Sequence, residues 1–124
     1  MEEAEGRVTI APEILVTIAR LTTLSVPGVA RMAGGHPAGI GRRLRRNVAT
    51  GEGVLITYEN HHVCVDLYIV VEADVNMRQV GQQIQNAVTR AIHDMVGLEV
   101  KRVDVHIQDV AYPTSSPTAP SSTD

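Results

Sequence analysis

Apolar residues recur along this chain with two different periods. Arg7-Val8-Thr9-Ile10 alternates and predicts a short first strand. Pro12 then suits the first turn of a helix, where its missing N–H has no partner to lose, although Ala11 is a poor cap. Ile14, Leu15, Ile18, Leu21 and Leu24 recur at helical spacing and predict an amphipathic helix. That helix ends at Val26-Pro27-Gly28, because the residue before proline is pushed out of the helical region. Val29 to Met32 reads as a short strand. The stretch 34–53 reads as irregular, broken by Gly34, Gly35, Pro37, Gly39 and Gly41.

Alternation returns at Val54 to Glu59. Asn60-His61 predicts a hairpin tip, and Val63 to Ala73 the return strand. In it Val63, Val65, Leu67, Ile69 and Val71 share one face, and Cys64, Asp66, Tyr68, Val70 and Glu72 the other. That contrast predicts a sheet covered on one side only. The next helix has a full local grammar. Asn76 and Gln79 form a capping box, Val75 and Val80 a hydrophobic staple, and Gly97 a left-handed end. Its core stripe reads Met77, Val80, Ile84, Ala87, Val88, Ala91, Ile92 and Met95. A last strand turns Val103, Val105 and Ile107 inward and Arg102, Asp104, His106 and Gln108 outward. Leu98 and Val100 are out of phase with it, which predicts a bulge near Lys101.

The order is strand, helix, short strand, strand, strand, helix, strand, close to the split β-α-β arrangement. It predicts an α+β fold: an α/β two-layer sandwich in which two amphipathic helices cover one face of a small mixed sheet. The domain spans 7–112. Residues 1–6 read as a flexible N-terminus, and 113–124 as a disordered Ser/Thr/Pro tail without a hydrophobe larger than alanine.

Composition narrows function. Aromatic residues make up 2% of the 124, with no Trp or Phe and three tyrosines, so aliphatic residues must build the core. The same scarcity argues against base stacking and aromatic cation cages. One cysteine excludes an intrachain disulfide, and an acidic start is unlike a signal peptide. The longest apolar stretch is far short of the ~20 residues of a membrane span. These features predict a soluble cytoplasmic protein.

The candidate chemistry is sparse. Arg42, Arg43, Arg45 and Arg46 form the one basic cluster, an attraction for phosphate, anionic lipid or an acidic protein. His62, Cys64 and Asp66 share a strand side. Alternate residues lie ~6.5–7 Å apart, too far to converge on one ion, so no metal and no cofactor is expected. Cys64 sits in mid-strand without the setting that activates a thiolate, and no phosphate-loop motif occurs. The outer sheet face, with Tyr68, Val70, Arg102 and His106 and with Leu55 and Thr57 beside them, reads instead as an interaction surface.

Three blocks of the chain resemble the bacterial alkaline shock protein family, also called the Gls-type envelope stress response family. They are Gly6-Arg7-Val8-Thr9-Ile10-Ala11-Pro12-Glu13, then Ser25-Val26-Pro27-Gly28-Val29-Ala30-Arg31-Met32, then the run from Val65 to Glu72 with Met95 to Val100 and Val103 to Ile107. The resemblance implies a small cytoplasmic protein tied to envelope stress, without enzymatic activity. It further implies self-association and, as for some members, a membrane-anchored protein partner. The expectation is therefore a non-enzymatic scaffold acting by protein–protein contact near the membrane. The alternative is a nucleic-acid-binding regulator using Arg42–Arg46.

Overall fold

The computed structural model describes residues 5–34 and 47–113. They form α1 (Pro12–Leu24), β1 (Val29–Met32), β2 (Val48–Gly51), β3 (Val54–Glu59), β4 (His62–Glu72), α2 (Met77–Val96) and β5 (Glu99–Ala111). The α+β class and the mixed sheet are as expected: β4 pairs antiparallel with β1 and β3, and parallel with β5.

The sheet is organised by β4. One of its edges is taken along its whole length by β5. The other is shared end to end, by β3 over His62–Leu67 and by β1 over Ile69–Val71. β2 continues the sheet outside β3. Parallel neighbours β4 and β5 with α2 between them make a plain β-α-β unit, not the split form expected.

Val63, Val65, Leu67, Ile69 and Val71 all face the helices and are almost completely buried. Ile56 and Val54 of β3 and Val80, Ile84, Val88 and Ile92 of α2 close over them. Each such aliphatic side chain contributes about 1.5–3 kcal/mol of transfer free energy. The α2 grammar is realised at both ends. Asn76 accepts from the Gln79 N–H at 3.0 Å, and Gly97 takes φ 85° as the left-handed C-cap. Lys101 is extra in the β4–β5 register, the bulge expected there. Gln108 is a second such residue, and it brings Val110 back to the core side.

Four further expectations are corrected. Arg7–Ile10 forms no strand, because its backbone enters no ladder of the sheet. The stretch 34–53 contains β2, which pairs with β3 through the turn Glu52-Gly53. In α1 the buried arc is Leu15, Val16, Ile18, Ala19 and Thr23, while Ile14, Leu21 and Leu24 are exposed. The helix carries apolar residues on both sides, and packing against α2 and β1–β3 selects one of them. In α2, Met77 and Met95 lie at the helix ends and are exposed, so the stripe is Val80 to Ile92. The Arg42–Arg46 cluster and residues 114–124 lie outside the described residues.

Gly53 stands where β1, β3 and β4 meet. Tyr68 N–H donates to its carbonyl, and Ala33 N–H donates to the Tyr68 carbonyl, both at 2.8 Å. Its φ is +76°, and a Cβ there would lie 2.8 Å from the Tyr68 carbonyl oxygen and 3.1 Å from that of Ala33. Backbone atoms in a ladder cannot retreat, so Gly53→Ala is expected to cost about 2 kcal/mol or more, read by urea denaturation. The opposite sign is expected at Tyr58. Its hydroxyl is buried without a hydrogen-bond partner. Deleting an unsatisfied buried polar group removes a desolvation cost, so Tyr58→Phe should match or exceed the parent stability by about 1 kcal/mol in the same assay.

Candidate functional site

The side of the sheet away from the helices is assembled by register. Cross-strand pairing sets Thr57, Cys64 and Arg102 in one row, and Leu55, Asp66 and Asp104 in the next. Tyr68 and His106 form a third, and Arg31, Val70 and Asp109 a fourth. Tyr68, Val70, Arg102 and His106 thus lie together as their alternation predicted. Leu55 and Thr57 lie with them.

Asp66 is the hub of this face. Its Oδ1 is 3.0 Å from His106 Nε2, and its Oδ2 is 3.9 Å from the Arg102 guanidinium. A carboxylate oxygen accepts, so Nε2 is the donor in this bond. Arg102 Nε donates to Asp104 at 2.8 Å. That bond, first, and the carboxylates of Asp104 and Asp66 after it hold the guanidinium in its charged form more firmly than usual. The Tyr68 ring stacks on the His106 ring with centroids 4.5 Å apart and planes 12° from parallel. Stacked pairs of this kind contribute about 0.5–1.5 kcal/mol beyond area burial. The result is a rigid polar and aromatic plate rather than a set of independent side chains.

Two residues of the face are less available than expected. Val70 is only 4% exposed and Cys64 is buried, so both support the plate from within. The set His62, Cys64 and Asp66 does not converge. Asp66 turns to His106, while His62 reaches Glu99 at 3.5 Å. Among the described residues no group of three His, Cys, Asp or Glu is placed to hold a metal ion. Asp66 and Asp104, which alternation places on this side, are the partners that join Tyr68, Val70, Arg102 and His106 in the face. The signal for them was the same two-residue alternation that selected Tyr68 and Arg102.

Burial, followed by the charges of Asp66 and Asp104, raises the Tyr68 phenol above its usual 10.0. The folded state therefore keeps a proton that the unfolded chain loses first, and stability falls as pH rises past about 10. Asp66→Asn removes one of the two charges. It should bring Tyr68 ionisation down in pH, read by tyrosinate absorbance against a Tyr68→Phe control.

The chain is 29% identical over 111 residues to the uncharacterized protein YqhY of Bacillus subtilis (strain 168), covering 90% of this chain and 82% of that one. It is 24% identical over 106 residues to the uncharacterized protein YloU of the same strain, covering 85% and 88%. Among solved structures, a MamM CTD aligns at 18% identity and a TM-score of 0.45, covering 78% of this chain and 95% of that one. No described helix is long and apolar enough to cross a membrane. The model of one family covers residues 1–112, and the chain belongs to it: the alkaline shock protein 23 family, whose function is cell envelope-related.

Proposed function

We propose that this chain is a non-enzymatic contact protein of the envelope stress response. It self-associates in the cytoplasm and presents its outer sheet face to a protein partner at the membrane. The observation that carries this reading is the plate of Tyr68, His106, Asp66 and Arg102 on a sheet face that neither helix covers. Ordering side chains at an interface costs free energy, and here stacking and ion pairing hold them in place before any partner arrives. Tyr and Arg are also the residue types that dominate interface energetics. Asp66 is held inside the face by the His106 ring and the Arg102 guanidinium, which suits a positioning role better than proton transfer. The family's envelope-related function supports the place of action.

The reading is tested in two measurements. Sedimentation velocity of the full chain should show a species that grows with concentration. Cross-linking in the native cells, followed by mass spectrometry, should yield a partner that the Tyr68→Ala, Arg102→Ala double variant loses while its circular dichroism stays that of the parent. A chain that remains monomeric and captures no specific partner removes the proposal.

A further inference from the structure

The most exposed large hydrophobe of the described residues is Val8, 89% accessible, and Ile10 on the same segment is 46% accessible. Their stretch has the alternation of a strand, but its backbone enters no ladder. The chain also carries the complementary vacancy. β5 is the longest strand of the sheet, and its edge opposite β4 has no strand neighbour among the described residues. An edge of this kind is a template for strand addition.

The free edge runs beside α2, and the crevice between them has two unlike parts. One, about 440 Å³, is lined by Met77, Gly81, Val105 and Ile107 with Arg78 at its margin. The other, about 590 Å³, carries Arg90 and Lys101, and Arg102 borders it with its guanidinium turned to Asp104 on the outer face. Asp94 is the one carboxylate among the described residues lining either part. Two details describe the crevice. Gln85 Nε2 donates to the Val103 carbonyl at 3.1 Å, so this carbonyl points to the open edge and an added strand replaces the Gln85 amide there. Alternation then turns the N–H and C=O of Val105 and Ile107 to the same open edge. Gly81 interrupts α2, although a Cβ there would meet nothing within 4 Å. A glycine in mid-helix weakens the helix, and no contact among the described residues requires it here.

We propose that this crevice receives the N-terminal arm, residues 5–10, of a second copy of the chain, which adds to β5 as a further strand. The inference rests on the self-association proposed above and assigns it a site. The arm has the matching polarity. Glu2, Glu3 and Glu5 precede Val8 and Ile10, just as the cationic end of the crevice precedes the apolar end along β5. Both gradients run in the same chain direction, so the arm adds parallel to β5. Glu5 to Ile10 and Arg102 to Ile107 each span ~17 Å as strands. In its own chain the arm shares a different groove, with Tyr58, Val96 and Leu98. Exchange between two copies is reciprocal, and two arms fill two edges.

Charge reversal on each side separates this contact from any other. One variant carries Glu3→Lys and Glu5→Lys, the other Arg90→Glu and Lys101→Glu. Each alone should self-associate about tenfold more weakly than the parent in sedimentation velocity, while an equimolar mixture recovers the parent behaviour. Gly81→Leu, which has room to fold, should weaken association similarly by filling the apolar end. Circular dichroism verifies that each variant is folded. If the parent associates and all these variants match it, the arm assignment is wrong while self-association stands. If the parent is monomeric at every concentration, both fall. If the Val105 and Ile107 amides are protected from hydrogen exchange equally at all dilutions, no second copy covers this edge and the exchange between copies is overturned.

Discussion

Strand β4 must satisfy two edges and two faces at once, and the remaining architecture follows from how it does so. Its eleven residues give every second side chain to an aliphatic core and the others to a polar plate. One edge holds β5 throughout, and the other is divided between β3 and β1. The division falls at Tyr68, whose N–H and C=O are taken by Gly53 and Ala33. The residue that stacks on His106 is therefore also the residue whose backbone ties two separate strands to the centre. A one-residue slip in β4 would exchange both faces together, so the core and the candidate interface are specified by the same register.

The scarcity of aromatic rings has a structural counterpart in where the three tyrosines lie. The core closes on Val, Ile, Leu and Ala, with only Tyr58 reaching into it, at the cost of a hydroxyl without a partner. Tyr112 follows the end of β5 and is exposed. Tyr68 alone stands on the uncovered face, braced by a histidine and framed by two carboxylates. Helix α1 shows the other consequence of an aliphatic chain. Ile14, Leu21 and Leu24 remain outside because the inner arc is already filled by smaller residues, Val16 and Ala19 among them.

What could be read from the sequence was what local chemistry decides. Asn76, Gln79 and Gly97 act within a turn of themselves, and α2 is bounded where they stand. The alternation in β4 was legible because one face of that strand is wholly apolar. The α1 stripe was not, since two apolar arcs share one helix and only tertiary contacts choose between them. β2 is four residues long and exists through its pairing with β3, so Val48-Ala49-Thr50-Gly51 has little signal of its own. At Arg7–Ile10 the pattern was strand-like, but a pattern states which sides a segment offers, not whether a neighbour is present. The Asp66–His106 pair joins residues forty positions apart. Only the parallel crossover through α2 brings them together, and no local rule announces it.

The two bulges give β5 something like a reading frame. Its core-facing residues run Val100, Val103, Val105, Ile107 and Val110, and the spacing breaks once at Lys101 and once at Gln108. Each extra residue absorbs a change of phase between this strand and β4. Loss of Val103, Asp104 or Val105 would turn part of the strand inside out, placing Asp104 or His106 against the helices. Loss of Lys101 or of Gln108 itself leaves every other side chain on its present side. These two positions are where the length of β5 can change without rewriting either face, which makes them the natural points of insertion and deletion in an otherwise rigid strand.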